Sequence, residues 1–121
     1  MSPRTPRSAP DDAPLSSVAV DILLTLSRGA RHGYAIKQDI EVRIGDDFVL
    51  GSGTLYQALQ RLERRGLIAE DPAVRPDDAR RGRSYRLEPE GARVLKAELA
   101  RMRRQLAQAG RRFATAAGRG R

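Results

Sequence analysis

The chain has 121 residues, a formal net charge of +8, 4% aromatic residues, one histidine and no cysteine or tryptophan. That length allows one domain with a small aliphatic core, because chains of this size bury roughly two thirds of their unfolded surface. The lack of cysteine excludes disulfides, thiolate metal sites and thiol nucleophiles, and no apolar run approaches the roughly 20 residues of a membrane span, so a cytoplasmic protein with no membrane partner is expected.

Residues 1–14 hold four prolines and almost no large apolar side chain. They are expected to form a disordered tail outside the fold. From Leu15 the pattern changes: Leu15, Val18, Ala19, Ile22, Leu23 and Leu26 share one face of a helix, with Gly29 as its stop. A second helix is read over residues 32–44, with Ile36, Ile40 and Ile44 in one row and Gly45 beyond its end. Phe48, Val49 and Leu50 are too few for a helix and predict a short strand that pairs with a later hairpin.

The third helix is predicted from an N-cap at Ser52 to Gly66. At about 100° per residue, Leu55, Ala58, Leu59 and Leu62 fall on one face. Gly53, Gln57, Gln60, Arg61 and Arg64 fall on the other, with Tyr56 at the border and Glu63 the one acid of the helix. Gln and Arg side chains can hydrogen-bond base edges and phosphates. Leu67 to Ala69 then read as a strand, and Ser84 to Leu87 as its return. Between them lie Asp77, Asp78, Arg80 and Arg81, followed by Arg83, an Arg-tipped wing suited to a DNA backbone or minor groove.

The last helix enters through Pro89. Ala92, Leu95, Leu99, Met102, Leu106, Ala109 and Phe113 are spaced alternately by three and four residues, a seam of three heptads. A helix of 20 to 25 residues exceeds what a domain of this size covers, so Leu95, Leu99, Met102, Leu106 and Phe113 are expected to meet a second copy in a homodimer. Arg93, Lys96, Arg101, Arg103, Arg104, Arg111 and Arg112 lie outside that seam. The charge is regional: residues 1–74 carry 9 basic and 10 acidic side chains, residues 75–121 carry 14 and 5, and nearly all the basic ones are Arg.

The order helix, helix, polar-faced helix, basic-tipped hairpin predicts an α+β, mostly α, winged helix-turn-helix with a C-terminal dimerisation helix. The division expected is a tail over 1–14, a DNA-binding domain over 15–88, a dimerisation helix over 89–113 and a flexible basic tail over 114–121. Double-stranded DNA is the expected partner. Thr54, Tyr56, Gln57, Gln60, Arg61 and Arg64 are the reading candidates, Ser52, His32, Tyr34 and Lys37 the phosphate candidates, and Arg80, Arg81 and Arg83 the wing. His32 has the alternative role of a capping or packing residue at a helix start. An enzyme is not expected, since the single His32 and the loop pairs Asp11/Asp12, Asp46/Asp47 and Asp77/Asp78 match no catalytic or metal-ligand spacing; no metal or cofactor is predicted. Two alternatives stay open: a winged-helix module for RNA or protein, which needs exposed aromatics where the five Tyr and Phe are expected in the core, and a non-specific basic DNA-binding protein, which has no need of a Gln57/Gln60 face.

The strings ILLTLSRGARHGYAIKQDI, GSGTLYQALQRLERRGLIAE and RRGRSYRLEPEG together resemble the PadR-type transcriptional regulators, over about Leu15 to Gly91. The resemblance rests on His32-Gly33-Tyr34, Gly53 to Tyr56 and Leu62 to Ile68, and the short C-terminal region is similar to the subclass with one dimerisation helix. It implies a dimeric winged-helix repressor, released by a small-molecule effector or another signal. Three departures stand out. Gln57 takes the place of the family's proline, Glu88-Pro89-Glu90 replaces a Thr-Glu pair, and the Trp by which some relatives hold flat drugs is missing.

Overall fold

The computed structural model describes residues 14–72 and 83–119. Helix α1 (Ser17–Leu26) starts where the Ser16 hydroxyl accepts the Ala19 N–H at 3.1 Å. This satisfies one of the donors a helix start leaves open. Leu15 precedes the helix and packs, partly buried, against the core. Within α1, Ala19, Val20, Ile22, Leu23 and Leu26 are buried, and so is Thr25. Thr25 Oγ1 accepts a 2.6 Å hydrogen bond from Arg43, whose other terminal nitrogen lies 2.9 Å from Asp21 Oδ1. One guanidinium thereby fastens the next helix to α1.

Strand β1 (Arg31–His32) leads directly into α2 (Gly33–Ile44). Ile36 and Ile40 are fully buried, whereas Ile44 is 45% exposed because the last turn of α2 overhangs the core. The row of three isoleucines therefore contributes two to the interior. Beyond it, Asp46 and Asp47 both take left-handed backbone, a conformation that Asp tolerates better than most side chains. The strand predicted at Phe48 to Leu50 is absent. Leu50 gives its N–H to the Glu41 carboxylate at 2.8 Å, so this donor is satisfied by a side chain and not by a ladder. The third strand is Arg31–His32 instead.

Helix α3 (Ser52–Arg64) begins one residue earlier than predicted: Gly51 is the N-cap, its carbonyl taking the Leu55 N–H at 3.0 Å, and Ser52 is the first helical residue. Leu55, Ala58, Leu59 and Leu62 are buried as their spacing requires. At the far end, Gly66 takes a left-handed conformation (φ +76°), its N–H bonds to Glu63 O, and the Leu67 N–H bonds to Leu62 O. This Schellman closure, with Leu62 and Leu67 both buried, ends the helix and aims the chain into β2 (Ile68–Glu70). Strand β3 (Ser84–Leu87) runs antiparallel between the other two in the order β1-β3-β2, pairing His32 with Ser84 and Ala69 with Arg86.

Helix α4 (Pro89–Arg119) has 31 residues, about 46 Å of continuous helix. It runs past the end predicted at residue 113, as helix-favouring Ala114, Ala116 and Ala117 carry the backbone on to Arg119. It packs on α1. A crowded junction anchors its first turn. The Leu67 carbonyl accepts the Glu88 N–H at 3.0 Å, and a β-carbon at position 91 would lie 2.1 Å from that same oxygen. Glycine is therefore required at Gly91 by close approach.

The heptad seam divides in two. Leu95 is 5% exposed and belongs to the chain's own core, against which Leu99 and Met102 also pack, while Leu106 and Phe113 are 73% and 71% exposed. The expectation that Leu95 serves dimerisation is thus corrected: the domain claims the first part of the seam because α4 must cover α1. The aromatics also depart from expectation. Of the five Tyr and Phe, Tyr85 alone is buried, since Leu, Ile and Val already fill the interior. Among the described residues no helix is long and apolar enough to cross a membrane.

Two outcomes follow. Gly91→Ala is expected to lower the unfolding free energy by about 3 kcal/mol, the upper range for forced overpacking, whereas Gly110→Ala, with open space around it in the same helix, raises it by about 0.5–1 kcal/mol; urea denaturation of the two variants reads both signs. The Glu41 carboxyl ionises below its ordinary value, chiefly through the Leu50 N–H and then through Lys37. A carboxylate lowered in the folded state contributes stability above its unfolded value and loses it as pH falls through the folded one. Wild type and Glu41→Gln should therefore differ in urea midpoint at pH 7 and converge under acid conditions.

Candidate nucleic-acid interface

With its four aliphatic residues turned inward, α3 has one remaining face, and Ser52, Gly53, Thr54, Gln57, Gln60, Arg61 and Arg64 are exposed on it. The start of α2 lies beside the start of α3. A β-carbon on Gly33 would stand 2.7 Å from the Tyr56 hydroxyl and 3.1 Å from its ring. Tyr56 therefore leans on Gly33 while remaining partly exposed. This contact is what brings His32 and Tyr34 alongside the polar face of α3. It was not legible in the sequence, where Gly33 reads only as part of a helix start.

His32 sits at the N-cap of α2 without capping it through its side chain. Its Nδ1 shares a 2.8 Å hydrogen bond with Ser84 Oγ, which joins the helix start to the middle strand. The Gly33 N–H bonds to the Arg83 carbonyl at 3.0 Å and reinforces the same joint. The packing role considered for His32 is therefore visible, with the ring half-buried. Tyr34 is exposed and its hydroxyl accepts a long bond of 3.4 Å from Gln38. Lys37 differs from its neighbours: its ammonium is 3.0 Å from Glu41 Oε2, held by the carboxylate that also anchors Leu50. Its charge is therefore partnered within the domain.

The wing divides at its root. Arg80 and Arg81 lie outside the described residues. Arg83 is described, and its guanidinium turns back on the protein, with Nη2 2.9 Å from Glu70 Oε1 and 3.5 Å from Glu63 Oε2, and Nε 3.3 Å from Glu70 Oε1. It also stands 5.9 Å from the centre of the Tyr85 ring. The hydrogen bond to Glu70 is the main cause of its raised basicity. Burial, partly opposed by Arg83, pushes the Tyr85 phenol up. Arg83, expected as a wing cation, is thus paired with two carboxylates of its own domain. Glu63, noticed as the one acid of α3, is the residue that gives this away. Arg86 is likewise tied, to Glu88 at 2.9 Å and to the Glu70 carbonyl at 3.1 Å.

Comparison with known proteins matches this geometry. The profile of the transcriptional regulator PadR-like family covers residues 22–97. A transcriptional regulator from Clostridium thermocellum superposes with a TM-score of 0.66 at 28% identity, over 78% of this chain and 90% of that one. A PadR family transcription regulator from Clostridium difficile R20291 gives 0.62 at 27% identity, over 82% and 99%. A 37.1 kDa protein of transposon TN4556 from Streptomyces fradiae is 40% identical over 84 residues, 69% of this chain but 22% of that protein's length. The mostly helical fold with a three-stranded sheet is thus the winged helix of these regulators, and the chain belongs to the PadR-like family of transcriptional regulators.

Proposed function

We propose that the protein binds operator DNA in a sequence-specific way as a homodimer and represses transcription in the cytoplasm. The observation that carries this reading is the exposed polar face of α3, where Thr54, Gln57, Gln60, Arg61 and Arg64 stand free of the core while the start of α2 is seated beside them. Gln side chains offer the paired donor and acceptor that read an adenine edge, and Arg the fork that reads guanine. Ser52, His32 and Tyr34 flank that face as phosphate contacts, and Arg80 and Arg81 remain candidates for contact with the DNA backbone or minor groove by their sequence position. Tyr56 contributes by supporting the helix from Gly33.

A second copy is the partner for the outer part of α4. Leu106 and Phe113 lie seven residues apart, two helical turns, on a stretch that extends beyond the domain. Pairing of these stretches, with Leu99 and Met102 at their inner limit, places two α3 helices in successive major grooves of a pseudo-palindrome, with half-sites about 34 Å apart. Release by a small-molecule effector is part of this reading.

Selection of binding sites from a random duplex library is expected to return a two-fold symmetric motif. Gln57→Ala and Gln60→Ala should each relax preference at particular positions, by about 1–3 kcal/mol per base pair affected. No enriched motif, or preference for single-stranded RNA over duplex, would overturn the reading. In sedimentation equilibrium, Leu106→Glu together with Phe113→Glu should weaken dimerisation by about thirtyfold or more, and a wild type that is monomeric at micromolar concentration sinks the dimer.

A further inference from the structure

Arg83 occupies an unusual position for a cation at the root of a wing. Its backbone is fixed, since its carbonyl accepts the Gly33 N–H, while its side chain, about half exposed, reaches a carboxylate on α3 and another on β2. Glu63 and Glu70 thus surround it with oxygens in the manner that DNA phosphates would. Both carboxylates are themselves partly exposed, so the trio lies at the surface and not in the core.

We propose that Glu63 and Glu70 act as internal stand-ins for phosphate, which hold Arg83 away from the DNA backbone and lower the sequence-independent part of DNA affinity. The inference rests on the DNA-binding reading above. A contact between Arg and phosphate carries no base information, and each such contact releases counterions and steepens the salt dependence of binding. An Arg already paired inside the protein must give up that pairing first, so its phosphate contact contributes little. Withholding this cation leaves the exposed Gln57 and Gln60 face a larger share of the total affinity. The clamp also sets the root of the wing against α3, because Glu63 belongs to that helix and Arg83 to the approach of β3.

The test is a mutant cycle on a random-sequence duplex of 30 base pairs, with dissociation constants measured between 50 and 200 mM salt. Glu63→Gln with Glu70→Gln should tighten binding about fivefold, the upper range for partly exposed ion pairs, and steepen the log–log salt slope by roughly one. In an Arg83→Gln background the same two changes should tighten binding less than twofold and leave the slope where it is. The single Glu→Gln variants should each give about half the effect on a logarithmic scale, which keeps the test decisive if the double variant fails to melt cooperatively. An equal gain in both backgrounds, or none in a folded double variant, overturns the proposal. A wild type without salt-dependent duplex binding instead defeats the DNA-binding reading itself.

Discussion

Three elements of this fold meet at one peptide segment, and their mutual angles depend on it. The Leu67 N–H closes the end of α3, its side chain is buried, and its carbonyl both accepts the Glu88 N–H and bears on Gly91 in α4. The next residue is already in β2. No side chain at position 91 fits under that oxygen, so α4 leaves the sheet along one path. The path lays Val94 and Leu95 on the core and turns α4 across α1, whose own attachment to α2 runs through Arg43. Once α3 is closed at Leu67 and supported at Tyr56, the 100° spacing of its residues decides which side chains face outward.

The sequence was most informative where one helix face faces one core. Leu55, Ala58, Leu59 and Leu62 follow from spacing alone, and so does Gly66 as a stop. It was misleading where the outcome depends on which surface arrives first. Leu95, Leu106 and Phe113 share a heptad pattern, yet α1 covers Leu95 and leaves the others open, a distinction that periodicity does not contain. Phe48 to Leu50 have strand-forming side chains, but Glu41 satisfies the Leu50 amide and Arg31–His32 fills the free edge of β3. A two-residue strand carries too little pattern to be found beforehand. Gly33 looked like part of a motif, and its purpose became visible only with Tyr56 beside it.

Charge showed the same limit. The count of Arg residues suggests a broadly basic surface, but Lys37, Arg83, Arg86, Arg93 and Arg101 all have carboxylate partners. Exposed pairs of this kind are individually weak, about 0–1 kcal/mol. Their importance lies in deciding which cations can respond to an approaching polyanion without first breaking a bond. By that measure Arg61 and Arg64, exposed at the end of the reading face, differ in kind from Arg83, although composition treats all three alike.

Helix α4 is rooted tightly at Gly91 and exposed at Phe113, with no break in its backbone between them. Beyond Met102, the last seam residue packed on the core, eleven residues of helix reach Phe113 and make an arm of about 16 Å. A bend of roughly 10° where α4 leaves the core displaces the Phe113 end by about 3 Å, close to the roughly 3.4 Å rise of one base-pair step. Small adjustments where α4 leaves the core would therefore be carried into the operator spacing of the proposed dimer.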